Sequence, residues 1–404
     1  MRWRFADPTN EAEMLYRRQA NAQIDSFWSS FEQNLSLPDF WTEEKFIAWV
    51  RPELSKISEH LMWEVSFEKS DVRRFVITPE SEYCLHPMLE TMLERAPQLD
   101  NFLFQVYREP TETEYVQDLV VARTQRWTPD VQVAVKATDC NSIDVTFSSA
   151  QFKGRNNDND IAYCFVLSEV LFGQEILEEW IGQIETVSTK RSIFEPIQNL
   201  FGAQKTPSQS NQCFSELVEA YSLVAELKLK IVSTLPTVPI WKAEPMFAES
   251  TNVAVLKLDE RKSERITVTT TKPNIMLGAS SRPLCFTSNR FSRCGETFSY
   301  LKIDESGSEV NDEVLDRGEL EEALDQGLRQ ASVGCVIGGG WGPVFNFIDL
   351  AIEDLDAAIP HLQRLARELE LPKSSWLRFM DSKLRNEWVG MYSDSPEPGL
   401  SKAW

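Results

Sequence analysis

The sequence predicts a mixed α+β protein, and three observations support this class. Stretches with helical apolar spacing follow stretches with alternating apolar residues along the 404-residue chain. Residues Phe298 to Phe379 show the order strand, helix, strand, strand, helix, strand, which is typical of the ferredoxin-like split fold. Hydrophobic residues make up 42% of the chain, enough for a large core, and the length favours two or three domains.

Residues 1–60 are predicted to form a helical arm. Apolar side chains at helical spacing predict one helix over residues 9–35 and a second from Thr42 onwards. Pro52 lies inside the second pattern, where the missing N–H should kink or split the helix.

Residues 61–235 are predicted to form a mixed α+β domain. Alternating apolar residues predict strands at 63–67, 74–77 and 102–107 and a hairpin over 131–147. Helical spacing predicts helices at 85–92, 112–122 and 214–225. Residues 160–185 follow a mostly helical pattern, although a strand remains an alternative for their second half. The Ser- and Gln-rich residues 202–212 are predicted to form a loop.

A proline-containing linker is predicted over residues 236–251, because repeated prolines interrupt both helices and strand ladders. Residues 252–404 then form the predicted ferredoxin-like domain. Its central strands are 333–337 and 344–352, and the Gly338–Gly342 run lies between them. A phosphate-binding loop needs a helix directly after its glycines. Here Pro343 and Val344 begin a strand, so a hairpin loop with glycines at positive φ is predicted.

The charge balance limits the classes of partner. The formal net charge is −21, and a field of this sign repels nucleic-acid phosphates and anionic lipids. No apolar run has the length of a membrane span, and the amino terminus lacks the pattern of a signal peptide. Seven scattered cysteines indicate reduced thiols rather than a disulfide framework. The sequence therefore predicts a cytoplasmic protein that binds neither nucleic acid nor membrane.

Two blocks of sequence resemble uncharacterised bacterial proteins. The first contains residues 75–80 (FVITPE), 85–87 (LHP) and 94–99 (ERAPQL), and it resembles a bacterial domain of unknown function. The second contains residues 290–298 (RFSRCGETF), 300–304 (YLKID), 338–340 (GGG) and 347–350 (FIDL), and it is similar to the carboxy-terminal half of the same proteins. The resemblance implies a shared fold and no particular activity. A more distant likeness, in the general α+β pattern, is to the small protein inhibitor of ribonuclease E.

Five residues are candidates for ligand binding: Arg290, Arg293, Lys302, Trp341 and Asp349. Arg290 and Arg293 are three residues apart and can either clamp one carboxylate or phosphate, or form ion pairs with the acid-rich residues 304–330. Trp341 is either an exposed contact residue or part of the core. Asp349 lies among apolar strand residues and needs a partner such as Lys302 or Arg290. It is either a structural ion-pair residue or a general acid or base.

No catalytic residue, metal site or cofactor is predicted. The chain has only three histidines and lacks the usual hydrolase, zinc and dinucleotide motifs. These features favour a non-enzymatic binding or regulatory protein whose acidic surface attracts a basic protein, as an inhibitor or immunity protein does. The alternative is an enzyme or small-molecule sensor that uses a groove between the two domains, with Arg290, Arg293, Lys302 and Asp349 as polar walls. The sequence leaves the oligomeric state open.

Overall fold

The structure is a computed structural model that describes residues 2–37, 42–65, 72–189, 215–258, 265–280, 285–304 and 317–399. These residues contain 11 helices and three β-sheets, which confirms the mixed α+β class. The described chain divides into two compact units. Unit 1 contains the described residues within 2–108, 236–280 and 286–399, and unit 2 contains the described residues within 109–235 together with Cys285.

Unit 1 begins with helices that pack on a small sheet. Helices α1 (Glu11–Leu35), α2 (Glu43–Ile57) and α3 (His86–Glu94) accompany strands β1 (Met62–Val65), β2 (Arg73–Thr78) and β3 (Phe102–Gln105). The sheet order is β1-β2-β3, antiparallel and then parallel. Phe31 of α1, Phe46 of α2 and Phe75 of β2 belong to one core. The described residues between 61 and 108 therefore belong to unit 1 together with the predicted arm. This division into units does not fall at residue 60, where the sequence placed a boundary.

Helix α2 passes through Pro52 without being split. Phe46, Val50 and Leu54 are all buried on one side of this helix. Their burial offsets the hydrogen bond that proline cannot donate.

The described residues of unit 2 form a four-stranded sheet and four helices. Its helices are α4 (Val116–Thr124), α5 (Asp158–Phe172), α6 (Gln174–Glu179) and α7 (Leu217–Thr234), and its strands are β4 (Gln132–Ala137), β5 (Ile143–Ser149), β6 (Ile181–Ser188) and β7 (Ser215–Glu216). The sheet order is β6-β5-β4-β7. Strand β6 is the strand that the sequence left open for the second half of residues 160–185. The predicted loop at residues 202–212 lies outside the described residues.

The rest of unit 1 is built on a seven-stranded antiparallel sheet. Its strands are β8 (Ala254–Lys257), β9 (Thr267–Thr270), β10 (Thr297–Asp304), β11 (Gly334–Trp341), β12 (Phe345–Ile352), β13 (Ser375–Phe379) and β14 (Trp388–Gly390). Its helices are α8 (Ile240–Ala243), α9 (Pro273–Ser280), α10 (Arg317–Gln330) and α11 (Leu355–Glu368). The sheet order is β14-β13-β10-β12-β11-β9-β8.

The element order predicted for residues 298–379 is present as β10-α10-β11-β12-α11-β13. Strands β8, β9 and β14 extend the same sheet beyond these four strands. The ferredoxin-like assignment of the whole domain remains a prediction.

The predicted hairpin loop at Gly338–Gly342 is wrong in its position. Gly338, Gly339 and Gly340 lie inside β11 and pair with β12 on one side and β9 on the other. A Cβ atom on Gly338 would lie 2.5 Å from the Thr269 carbonyl oxygen. The glycines therefore serve close strand packing rather than a turn at positive φ.

The two faces of the large sheet differ in composition. The first face packs on α10 and α11 through aliphatic side chains such as Leu301, Ile348 and Leu350. The second face contributes Tyr300, Phe347 and other residues to a separate core that includes Ile240 and Ile275. Each helix in the described ranges is too short or too polar to cross a membrane.

The amino-terminal residues are fixed to the carboxy-terminal part of unit 1. The Glu387 carboxylate is buried and accepts hydrogen bonds from the backbone N–H groups of Trp3, Arg4 and Phe5, at 2.6, 3.1 and 2.9 Å. Three such bonds to one carboxylate compensate for its loss of hydration.

Candidate functional site

A buried charged cluster occupies the second face of the seven-stranded sheet. Asp349 on β12 is fully buried, and its Oδ1 accepts a hydrogen bond of 2.6 Å from Arg265 Nη1. The Arg265 guanidinium also lies 4.6 Å from the centroid of the Tyr300 ring and 4.3 Å from that of Phe347. Arg265 is only 1% exposed. The ion pair and the two aromatic rings thus replace the hydration that this cation loses.

Arg265 is the Asp349 partner that the structure shows, whereas the sequence suggested Lys302 or Arg290. Arg265 and Asp349 are separated by 84 residues. Burial lowers the pKa of Arg265, and the neighbouring Asp349 opposes that shift. The only local signal in the sequence was an arginine directly before the alternating residues of β9.

The glycines of β11 lie next to this cluster. Strand β11 is between β9 and β12, and it places Gly338 opposite Asp349 and Gly340 opposite Phe347. Residues that pair across an antiparallel ladder point to the same face. Because glycine has no side chain, β9 can approach β11 closely here: a Cβ on Gly338 would lie 2.5 Å from the Thr269 carbonyl oxygen, and one on Gly340 would lie 2.5 Å from the Thr267 carbonyl oxygen.

Lys302 lies on the same face as Asp349 and is 2% exposed. Its Nζ is 3.8 Å from the centroid of the Phe345 ring, a close cation–π contact. Strand pairing places Lys302 opposite Phe347 and Tyr300 opposite Asp349. Lys302 and Asp349 are therefore diagonal neighbours on adjacent strands. Of the five predicted ligand residues, these two are brought together.

The other three predicted residues lie elsewhere. Arg290 is buried at the end of a short 3₁₀ helix, whereas Arg293 is exposed, so the two side chains do not share one environment. Trp341 is 44% exposed, and it pairs with Asn346, which places its side chain on the face opposite to Asp349. The Arg317 guanidinium lies 5.3 Å from the centroid of the Trp341 ring.

Unit 1 also has an open cleft of about 870 Å³, and the residues that line it are not those of the Asp349 cluster. Trp241 of α8 and Glu353, just before α11, form part of its wall, and the indole N–H donates a 2.7 Å hydrogen bond to Glu353 Oε2. Lys242 Nζ lies 4.5 Å from the centroid of the Trp241 ring. Asp354 caps α11 by accepting from the Ala357 N–H. The lining is thus polar, and it contains none of the five predicted ligand residues.

The described residues contain no group of three or more His, Cys, Asp or Glu side chains with the geometry of a metal site. Burial raises the pKa of the Cys164 and Cys335 thiols far above their ordinary value. Neither thiol can therefore supply a thiolate nucleophile near neutral pH.

Comparisons with known proteins identify no homologue of this chain. No protein-family model matches the chain, and no curated protein or solved structure shows significant similarity to it.

Proposed function

We propose that this chain is a non-enzymatic binding or regulatory protein that recognises a cationic partner protein through exposed carboxylates. The formal net charge of −21 carries the proposal. A potential of this sign accelerates the approach of a basic partner and repels nucleic acid. The resemblance to uncharacterised bacterial proteins is compatible with this role and names no activity.

The location of the buried cations supports the proposal. Arg265, Arg290 and Lys302 are each at most 3% exposed. Arg265 is held by Asp349, and Lys302 lies over an aromatic ring. A ligand in solution has no access to groups this deeply buried. The alternative, an enzyme whose site has polar walls, therefore gains little support from Lys302, Arg290 and Asp349.

An acidic segment of unit 2 is the first surface to test. Glu112, Glu114 and Asp118 are exposed, and no salt bridge found among the described residues involves them. Tyr115 lies among them and is 54% exposed. The chain has no lysine or arginine between Arg108 and Arg123. Carboxylates around an exposed aromatic ring suit an arginine or lysine side chain of a partner.

The test compares two triple variants that remove the same charge. One carries Glu112→Gln, Glu114→Gln and Asp118→Asn, and the control carries Glu32→Gln, Glu44→Gln and Glu59→Gln, which are exposed residues of unit 1. Fluorescence anisotropy measures the Kd of a labelled lysine- and arginine-rich peptide at low and at physiological salt.

We expect salt-sensitive binding to the wild type, a loss of about tenfold in the first variant, and a loss of about twofold in the control. An equal loss of peptide affinity in both variants would show that the acidic segment is not the binding surface. An absence of binding at low salt would contradict the proposed function itself.

The cleft in unit 1 favours a second candidate, a sensor of a small polar ligand. Its walls combine the Trp241 ring, the Lys242 ammonium and the Glu353 carboxylate. A ligand that binds only the folded chain raises its Tm. A thermal-shift screen of small polar metabolites tests this candidate, with Trp241→Ala as the variant that should lose the shift.

A further inference from the structure

One wall of the cleft in unit 1 holds an ammonium group of the chain itself. Lys242 Nζ lies 4.5 Å from the centroid of the Trp241 ring and 4.0 Å from Glu353 Oε2. The Trp241 N–H donates a 2.7 Å hydrogen bond to the same oxygen, so the ring and the carboxylate are held together. An aromatic ring beside a carboxylate is an arrangement that binds alkylammonium ions. Trp241 and Glu353 are called the ammonium site below.

The backbone that carries Trp241 is fixed at both ends of helix α8. At its start, the buried Glu296 carboxylate accepts a 2.8 Å hydrogen bond from the Ile240 N–H. At its end, Arg329 Nη1 donates to the carbonyl oxygens of Trp241 and Glu244, at 2.5 and 2.9 Å. A binding group on a fixed backbone loses little conformational freedom when a ligand arrives. The ammonium site therefore keeps its shape when Lys242 leaves it.

The Lys242 ammonium is held only weakly in this site. Its side chain is 48% exposed, and its distance of 4.0 Å from the Glu353 oxygen is the outer limit for an ion pair. Exposed pairs of this kind contribute little to stability, because water screens the charges and the long lysine side chain loses rotamer freedom. An ammonium group from solution can therefore replace that of Lys242.

We propose that the cleft binds a linear aliphatic diamine or polyamine, whose first ammonium takes the place of the Lys242 ammonium. The proposal rests on the second candidate function, the sensor of a small polar ligand, and assigns its ligand class. A second ammonium of the ligand also has carboxylates to bind, because Asp354 and Asp356 line the same cleft and are exposed. The cleft volume of about 870 Å³ lies in the range of small-molecule sites.

The charges of the cleft favour a cation over an anion once Lys242 has left the ammonium site. Among the described lining residues there are three carboxylates and two cations, Lys242 and Arg4. When the Lys242 ammonium turns out to solvent, Arg4 is the one cation that remains among these residues. The formal net charge of −21 adds a field of the same sign, which attracts cations and repels anions.

The occupied ammonium site makes the direction of one substitution diagnostic. A ligand that must displace Lys242 binds with an affinity reduced in proportion to the fraction of molecules whose site is open. Lys242→Gln should therefore tighten the binding of a diamine. The same substitution should weaken the binding of an anion, because it removes a cation from the cleft.

Isothermal titration calorimetry of the full chain compares 1,4-diaminobutane with succinate, two probes that have the same number of carbons and opposite charges. We expect 1,4-diaminobutane to bind the wild type, and Lys242→Gln to lower its Kd by about threefold to tenfold. Glu353→Gln keeps an acceptor for the Trp241 N–H and removes the charge, so it should raise the Kd by about tenfold. Circular dichroism confirms that each variant is folded.

The control for general electrostatic attraction carries Glu32→Gln, Glu44→Gln and Glu59→Gln, which removes three charges from unit 1 and none from the cleft. Its Kd for 1,4-diaminobutane should rise by less than about twofold. A rise that equals or exceeds that of Glu353→Gln would overturn the proposal. Weaker binding by Lys242→Gln, or no binding by either the wild type or Lys242→Gln, would also overturn it.

Two further outcomes separate this proposal from the proposed functions. Succinate that binds in place of the diamine, and binds Lys242→Gln more weakly, would overturn the diamine and leave the cleft as the sensor of another polar ligand. The variant that lacks the charges of Glu112, Glu114 and Asp118 should bind 1,4-diaminobutane as the wild type does. A loss of diamine affinity in that variant would place the diamine on the acidic segment of unit 2 and overturn the assignment to the cleft.

Discussion

Asp349 and Asp325 are both fully buried against the seven-stranded sheet, but they are stabilised in different ways. Asp325 on α10 accepts hydrogen bonds from Arg329 Nε and from the N–H groups of Val336 and Phe247, at 2.8, 3.0 and 2.8 Å. Asp349 has the Arg265 bond at Oδ1, and its Oδ2 has no hydrogen-bond partner among the described residues. Asp325 therefore shares its charge among three donors, whereas Asp349 depends on one cation, Arg265, which is distant only in the sequence.

The largest expected effect is at Asp349. Arg265→Met removes the cation and leaves a buried charge uncompensated, which should lower the free energy of unfolding by about 3–5 kcal/mol. Urea denaturation measures the loss. The double variant Arg265→Met with Asp349→Leu replaces the pair by apolar side chains and should recover most of it. A loss below about 1 kcal/mol in the single variant would show that Asp349 does not depend on Arg265.

A smaller effect is expected at Asp325. Asp325→Asn keeps one acceptor oxygen, so either the Val336 N–H at Oδ1 or the Phe247 N–H at Oδ2 loses its acceptor, and the substitution also removes the charge that faces Arg329. The loss should be about 1.5–3 kcal/mol, the range for hydrogen bonds to charged groups. A loss that equals or exceeds that of Arg265→Met would reverse the comparison between the two aspartates.

The glycines of β11 test how closely β9 and β11 must approach. The new Cβ of Gly338→Ala would lie 2.5 Å from the Thr269 carbonyl oxygen, so backbone must move at a cost of about 1–3 kcal/mol. Gly399→Ala is the control, because its Cβ would have no neighbour within 4 Å. Thermal unfolding should separate the two variants clearly. Equal Tm values would mean that β11 does not require glycine at position 338.

The smallest expected effect on stability is at Glu296. Its pH dependence should be opposite to that of an acid whose pKa is lowered by an ion pair. Burial raises its pKa above the ordinary 4.5, although hydrogen bonds from Ser292 and the Ile240 N–H oppose the shift. Between the unfolded and the folded pKa the native state holds a proton that the unfolded state has released. The contribution of Glu296 to stability is therefore complete below the unfolded pKa and is lost as pH rises through the folded pKa.

The control for Glu296 is Glu296→Gln, which stays neutral at every pH. The Tm of the wild type relative to this variant should fall as pH rises from about 5 to about 8. A difference in Tm that stays constant or rises with pH would contradict a raised pKa.

The sequence predicted one face of the large sheet better than the other, for physical reasons. Leu320, Leu324 and Leu328 repeat at helical spacing, so the helix-facing core was visible in local periodicity. The Asp349 cluster depends on a contact across 84 residues, which no local pattern encodes. The prediction of a hairpin loop at Gly338–Gly342 was wrong for a related reason. Its pairing with β9 on one side and β12 on the other makes it a strand, and β9 lies far away in the sequence.

The candidate site shows the same limit. Lys302 and Asp349 were singled out because charged residues in apolar strands need partners, and both lie on one face. Their burial depends on the packing of the complete sheet, and the exposure of Arg293 beside the buried Arg290 depends on the path of a loop. The acidic segment at Glu112–Asp118 stood out only as part of the overall charge.

The affinity of the lysine- and arginine-rich peptide for a Lys302→Met variant tests the central claim most directly. The account assigns Lys302 to the sheet and assigns partner binding to exposed carboxylates, so the Kd should match that of the wild type within about twofold. The variant that lacks the charges of Glu112, Glu114 and Asp118 should bind about tenfold more weakly in the same assay. A folded Lys302→Met protein that loses binding, beside a triple variant that keeps it, would contradict the account.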